Sequence, residues 1–205
     1  MADLSPKGNE SPKGDESPNG EDRSDFNDQL IVSQIVAGQK DLFRLLVRQH
    51  EKAVYGMGIN FFRNPQDASD FTQEVFLKAY RSLSGFEGRS RFSTWLYKIA
   101  YNTAINEVNR KKEYHSLAEE DKDLLVISGD TPERAALRNA AKEAVRSAVK
   151  ELPQRFRVCV DLFFFYDRSF KEIEAITGIP VNTIKSHVYR AKILLREKLE
   201  LFTED

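Results

Sequence analysis

The chain has 205 residues, of which 40% are hydrophobic and 31% are charged, and this balance supports one large or two small globular domains. Its single cysteine excludes an internal disulfide framework and a zinc site made of several cysteines. No apolar run is long enough for a membrane span and the N-terminus lacks the apolar part of a signal peptide, so we expect a cytoplasmic protein without membrane insertion.

Charge is distributed unevenly along the chain. The net charge is −1, but residues 1–28 hold eight acidic and three basic residues, so they carry −5 and the remainder carries +4. This asymmetry indicates an acidic tail beside a basic body. Beyond the tail, glycine and proline are few and Leu, Ala, Glu, Lys and Arg dominate, so the predicted fold class is all-α.

An imperfect repeat, SPKGNE-SPKGDE-SPNGED, occupies residues 5–22. It offers no large apolar side chain for burial, so residues 1–24 are predicted to be a disordered acidic extension. A DNA-mimicking arm, a docking tag and a simple solvated extension are all open as interpretations of this repeat.

Helical periodicity begins near Asp25 and predicts a first domain of four helices over residues 25–112. Glycine, proline and asparagine residues mark the breaks between these helices. The first predicted helix ends at Gly38. The other three span Leu42 to Phe62, Gln66 to Leu83, and Thr94 to about Lys111.

The third predicted helix carries carboxylate and amide side chains at spacings that place them on one face. Paired carboxylates could bind a metal or act as acid and base, but this helix has no His or Cys and no second carboxylate motif accompanies it. We therefore predict no metal, no cofactor and no catalytic residue, and interpret the face as a protein-binding surface or as merely solvated. Its residues are Asp67, Asp70, Gln73 and Glu74.

The segment from Phe86 to Lys112 mixes aromatic and basic residues. Stacking on aromatic rings is worth about 1–3 kcal/mol per unpaired base, while cations follow the phosphates. The segment therefore predicts contact with single-stranded nucleic acid, and the alternative is that Trp95 and its neighbours belong to the core. The candidate contacts are Phe86, Arg89, Arg91, Trp95, Lys98, Asn102 and Asn106.

Periodicity is lost over residues 113–132, which are predicted to be a linker, and it resumes in a second domain over residues 133–205. Helices are predicted at about 133–151 and 153–166, followed by a helix pair. Cys159 lies in an apolar run, which favours a buried core residue over a reactive thiol.

The helix pair, Ser169 to Leu199, has the signature of a helix-turn-helix. Ser169 and Glu172 form a capping-box pattern, and Gly178 with Pro180 ends the first helix. Cations and hydroxyls open the second helix, where a recognition helix meets base edges. The alternative is a helical hairpin with a solvated basic face. The candidate contacts to duplex DNA are Lys185, Ser186, His187, Tyr189 and Arg190.

Three long stretches carry a family resemblance. The chain contains, in this order, DLFRLLVRQHEKAVYGMGINFFRNPQDASDFTQEVFLKAYRSL, FSTWLYKIAYNTAIN and LPQRFRVCVDLFFFYDRSFKEIEAITGIPVNTIKSHVYRAKILLREKL. Together they resemble the extracytoplasmic-function sigma factors, the smallest members of the sigma-70 family, over nearly all of residues 25–202. The N-terminal repeat is not part of the family pattern.

The resemblance implies two small helical domains joined by a flexible linker. Residues 25–112 are similar to sigma region 2, which binds core RNA polymerase and melts the minus-10 element. Residues 133–205 are similar to sigma region 4, whose helix-turn-helix reads the minus-35 element. The linker would run toward the polymerase active centre and the RNA exit path, and the chain itself is not expected to be an enzyme.

The resemblance also implies roles for the candidate residues. The acidic face of the third helix matches the surface for the clamp helices of the largest polymerase subunit. The aromatic and basic segment matches the minus-10 reader, with Asn102 near the flipped-out base. The candidates in the helix-turn-helix match the minus-35 helix, although the family commonly has Arg where His187 stands. Expected partners are promoter DNA, core RNA polymerase through the clamp helices and the flap of the second-largest subunit, and an anti-sigma factor.

Two other functions stay open from the residues alone. A stand-alone helix-turn-helix regulator would share Ser169–Leu199 but would leave Phe86–Lys112 and the acidic helix unexplained. A helical enzyme using Asp67, Asp70 and Glu74 would lack any phosphate-binding glycine loop, HExxH motif or nucleophile motif.

Overall fold

The structure is a computed structural model that describes residues 22–115, 145 and 147–200. The regular structure of these residues is helical throughout, which confirms the all-α prediction, and none of their helices has the length and apolar character needed to cross a membrane. Residues 1–21, which hold all but the last residue of the N-terminal repeat, and most of the predicted linker lie outside the described residues. The helix that begins at Asp22 corrects the end of the extension predicted to be disordered, residues 22–24. The α-helices are α1 (Asp22–Val36), α2 (Phe43–Phe62), α3 (Pro65–Ser82), α4 (Phe92–His115), α5 (Gln154–Val160), α6 (Phe170–Thr177) and α7 (Val181–Glu200).

Local sequence signals set the break between α2 and α3. The side chain of Asn64 accepts hydrogen bonds from the backbone N–H groups of Gln66 at 2.8 Å and Asp67 at 3.3 Å, and Pro65 follows at the first helical position. α2 ends at Arg63, which adopts the left-handed conformation with φ 54°. The predicted break at Asn64-Pro65 is therefore confirmed.

The N-terminal half is built on close packing of α2, α3 and α4. A Cβ atom on Gly58 of α2 would lie 2.8 Å from Cδ1 of Phe71 and 3.0 Å from Cα of Ala68, so a larger residue would push α2 and α3 apart. The side chains that fill the space between these helices are inaccessible to solvent. They include Leu46, Val54, Val75, Ala79, Phe92, Leu96 and Ala100.

The two halves of the chain pack against each other. Ile173, Ile176 and Ile184 of the C-terminal half belong to the same apolar cluster as Leu46 and Leu96 of the N-terminal half. The helical groups predicted as separate domains thus share a core in this structure. The C-terminal half also has a small core of its own, made of Val149, Leu152, Phe156, Val160 and Ala191.

One polar contact between the halves is centred on Glu172. Its Oε2 accepts hydrogen bonds from the backbone N–H and the hydroxyl of Ser169, both at 2.9 Å, and so caps α6. Its Oε1 accepts from the Thr94 hydroxyl of α4 at 2.9 Å and from Arg168 Nη1 at 3.3 Å. Burial alone would raise the pKa of Glu172, but the hydrogen bonds from Ser169 and Thr94 and the charge of Arg168 bring it below its usual value.

The α-helix predicted over residues 153–166 is shorter in the structure, and the turn that follows it makes a second polar contact between the halves. α5 ends at Val160, and a π-helical turn follows over Asp161–Phe165. The Tyr166 N–H donates a hydrogen bond to the Asp161 carbonyl at 3.1 Å and closes this turn. The wider turn places two side chains against α2. Asp161 Oδ2 accepts from Asn60 Nδ2 at 2.9 Å, and the Tyr166 hydroxyl donates to the Ala53 carbonyl at 3.0 Å.

Candidate nucleic-acid interfaces

The second helix of the predicted helix-turn-helix, α7, buries one face and exposes another. Ile184, Val188 and Ala191 are at most 4% exposed and fix the helix on the core. Because these positions are three or four residues apart, they line one face of the helix and leave the opposite face outward. Lys185, Tyr189 and Arg190 are therefore exposed at the start of the helix. The capping box of α6 and the left-handed Gly178, with φ 73°, hold the turn before it.

The remaining two candidates on α7 are half-buried, and His187 faces the C-terminal core. Its ring lies 5.2 Å from that of Phe156 in a T-shaped arrangement, and its Nδ1 is 3.7 Å from Sγ of Cys159. Burial lowers the pKa of His187, and the positive charges of Arg155 and Arg190 lower it further. A neutral imidazole turned inward is a poor phosphate ligand, so this geometry does not favour the predicted DNA contact.

We expect His187→Ala to act on stability rather than on DNA binding. Loss of the T-shaped contact with Phe156 should lower the free energy of unfolding by about 1 kcal/mol. Chemical denaturation followed by circular dichroism measures the stability, and electrophoretic mobility shift with duplex DNA in the presence of polymerase measures binding. A large loss of DNA affinity at unchanged stability would instead restore His187 as a contact.

The predicted single-strand interface is a rim of exposed polar residues around an aromatic cluster. Phe86 and Trp95 are half-buried with ring centroids 5.3 Å apart, and both contact the inaccessible Phe92, at 5.8 and 5.6 Å. The alternative of core residues thus holds for Phe92, and contact with single-stranded nucleic acid stays a prediction for Phe86 and Trp95. Arg89, Lys98, Asn102 and Asn106 are exposed, the last three at intervals of four along α4.

Arg91 differs from the other candidates because it lies where the two halves meet. Its Nε is 3.9 Å from Oε1 of Glu172, and its side chain is 30% exposed. Ser93 and Thr94, the next positions of α4, are buried against the same contact. The start of α4 is therefore covered by the C-terminal half in this arrangement.

The acidic face of α3 lies as predicted, with Asp70, Gln73 and Glu74 exposed and Asp67 half-buried. Gln66 Nε2 donates to Asp70 at 3.2 Å, and Glu74 pairs with Lys78 at 2.7 Å. Exposed pairs of this kind add little stability, so these side chains are available for a partner.

Sequence reasoning missed a groove of about 1160 Å³ beside this face, between α2 and α3. Leu77 and Tyr80 are 55% and 39% exposed within it. Cations repeat at intervals of four from the turn before α2 along the α2 wall of the groove, and this spacing could have identified it. They are Lys40, Arg44, Arg48 and Lys52.

Two solved structures share the fold. The sigma factor RpoE in complex with the anti-sigma factor NepR from Bartonella quintana superposes with a TM-score of 0.67 at 21% identity, over 77% of this chain and 96% of that one. CnrH in complex with the cytosolic domain of CnrY gives 0.61 at 22% identity, over 85% and 97%.

Family matches cover both halves of the sequence. Residues 46–114 match Sigma-70 region 2, and residues 142–195 match Sigma-70, region 4. The RNA polymerase sigma-H factor of Pseudomonas aeruginosa is 34% identical over 183 residues, which are 84% of this chain and 94% of that protein. The ECF RNA polymerase sigma-E factor of Haemophilus influenzae is 32% identical over 181 residues, 84% and 95%. The chain therefore belongs to the extracytoplasmic-function group of the sigma-70 family, the RNA polymerase sigma factors.

Proposed function

We propose that this sigma factor binds core RNA polymerase, recognises the minus-35 and minus-10 elements of its promoters and promotes DNA melting. The observation that carries the proposal is the presence of two different exposed faces on one chain. The start of α7 presents cations at the spacing of a recognition helix, and α4 presents polar side chains beside an aromatic cluster.

At the minus-35 element, Lys185 and Arg190 would contact base edges and phosphates in the major groove. At the minus-10 element, an unpaired base would stack on the cluster around Trp95, and Asn102 would bond to its edge. Extruding a base costs a few kcal/mol, and stacking of about 1–3 kcal/mol per base offsets much of that cost. The chain would therefore favour the open promoter by binding its single strand, while catalysis belongs to the polymerase.

The two halves share a core in this structure, and this closed arrangement limits how the chain can meet a promoter. Elements named for positions 35 and 10 lie about 25 base pairs apart, or about 85 Å along B-DNA. Halves that share a core cannot reach both elements at once, so they must separate on the promoter. An anti-sigma factor would then act by holding the closed arrangement, and the fold likeness to RpoE solved with NepR supports such a partner.

The acidic face of α3 is the proposed surface for the clamp helices of the largest polymerase subunit, and the C-terminal half is proposed to meet the flap of the second-largest. We expect Asp70→Lys to lower core association at least tenfold, because it reverses a charge in the middle of an exposed face. Pull-down of core enzyme measures the effect. Glu87→Lys, at an exposed position in the loop before α4, has the same charge change and serves as the control, and a normal pull-down of D70K would remove α3 from the interface.

Run-off transcription with core enzyme on a genomic promoter library tests the whole proposal. Promoter-specific transcripts that need both the chain and core enzyme are expected, since the free chain, with a net charge of −1, should hold DNA weakly. Tight binding of duplex promoter by the chain without polymerase would favour a stand-alone regulator and reject the sigma mechanism.

A further inference from the structure

A buried hydrogen bond between two side chains joins α1 to α2. Asp28 of α1 is fully inaccessible, and its Oδ2 accepts a hydrogen bond from Nε2 of His50 of α2 at 2.8 Å. The other oxygen of Asp28, Oδ1, is buried and has no hydrogen-bond partner among the residues that the structure describes. A carboxylate placed this way is costly to bury, and each such group in a native structure calls for a physical reason.

Stability alone is a weak reason for this pair. Replacing a buried ion pair with apolar residues of similar volume is often neutral or stabilising. What an apolar contact lacks is direction, because a hydrogen bond fixes the plane of the imidazole ring whereas apolar packing leaves it adjustable.

The ring of His50 packs against the aromatic cluster. Its centroid lies 5.4 Å from that of Phe92, which is inaccessible and begins α4. Phe92 in turn contacts Phe86 at 5.8 Å, edge to face, and Trp95 at 5.6 Å. An unbroken series of contacts thus runs from Asp28 to the two half-buried aromatic rings of the single-strand interface.

We propose that Asp28 and His50 are positioning residues for minus-10 recognition: the hydrogen bond between them fixes Phe92, and Phe92 fixes Phe86 and Trp95 in the geometry that receives an unpaired base. This role extends the function to α1, which lies outside the segments matched to Sigma-70 region 2 and region 4. The inference rests on the proposed function, since it assumes that this aromatic cluster meets DNA.

The test compares three variants. Asp28→Leu with His50→Phe keeps apolar volume but removes the directed bond, so stability should be retained while the cluster shifts. Asp28→Asn is the conservative variant, because an amide oxygen still accepts from Nε2, and it should behave nearly as the wild type. Ile31→Val, one turn along α1, lowers stability by about 1 kcal/mol without touching the pair and serves as the control.

Two measurements are made on the full-length variants. Trp95 is the only tryptophan of the chain, so emission maximum and acrylamide quenching report directly on the cluster. Transcription with core enzyme from promoters altered at single minus-10 or minus-35 positions reports on base discrimination. For D28L/H50F we expect a changed Trp95 signal and about tenfold weaker discrimination at minus-10 positions, with minus-35 discrimination unchanged. D28N and I31V should keep both signals.

The outcomes separate the two proposals. An unchanged Trp95 signal in D28L/H50F, or unchanged minus-10 discrimination, overturns the positioning role. If D28L/H50F does not fold, His50→Gln takes its place, because it keeps a donor near Nε2 but removes the ring from Phe92, and the same two results decide. A wild-type chain that directs no transcription with core enzyme would instead overturn the proposed function, and the Trp95 signal would still decide whether the pair sets the cluster.

Discussion

Replacing Lys185 and Arg190 together with alanine is expected to lower transcription from minus-35-dependent promoters by about 10- to 100-fold. Each good contact to a base edge is worth about 1–3 kcal/mol, and the two side chains are exposed on the part of α7 that would enter the major groove. Folding should be unaffected, since both side chains are exposed and the contact of Lys185 with the ring of Phe170, 5.7 Å from its centroid, is weak.

Run-off transcription on promoters with and without a consensus minus-35 element measures this loss, and pull-down shows whether core binding persists. Lys192→Ala removes a charge from the same helix, near the exposed Phe164, and should leave promoter use unchanged. If K185A/R190A transcribes normally, α7 is not the minus-35 reader.

The stability of the closed chain is expected to fall as the pH rises, because of Asp161. Burial raises the pKa of this carboxyl from 3.8 to about 7, even though the charge of Arg157 and the hydrogen bond from Asn60 lower it. The folded chain therefore binds a proton more tightly than the unfolded chain. Its contribution to stability is fully present below pH 4 and is lost as the pH rises through about 7.

Asp161→Asn should remove this dependence and stabilise the protein at pH 8, by at most about 4 kcal/mol, since each pKa unit corresponds to about 1.4 kcal/mol. Urea denaturation from pH 4.5 to pH 8 measures the effect. Asn60→Ala should have a different effect, because it removes a hydrogen bond that lowers the pKa of Asp161. The loss of stability should then continue to higher pH than in the wild type. Equal pH profiles for the wild type and D161N would refute the role of Asp161.

Features set by neighbouring residues were predictable from the sequence. Asn64-Pro65 ends one helix and caps the next, and Ser169, Glu172 and Gly178 shape the helix-turn-helix, because capping depends on groups a few positions apart. The exposure of Lys185 and Arg190 likewise followed from helical periodicity.

Features set by distant residues were not predictable in this way. His50 meets Asp28 across 22 positions, Asn60 meets Asp161 across 101, and Tyr166 meets Ala53 across 113. Periodicity places a residue on a face but does not name its partner, so the packing of the two halves and the inward turn of His187 emerged only in three dimensions. The π-helical turn at Asp161 was not predictable for the same reason, since it forms where Asp161 and Tyr166 contact α2.

Glu172 caps α6 through one of its carboxylate oxygens and joins the two halves of the chain through the other. Oε2 serves Ser169 within the C-terminal half, and Oε1 receives Thr94 from the N-terminal half. Separation removes the Thr94 hydroxyl from Oε1, which keeps Arg168 Nη1 as a donor, while the cap on α6 stays in place. The helix-turn-helix therefore needs no refolding when the halves separate, so we expect the chain to pass repeatedly between the shared-core arrangement and a promoter-bound one with α7 already formed.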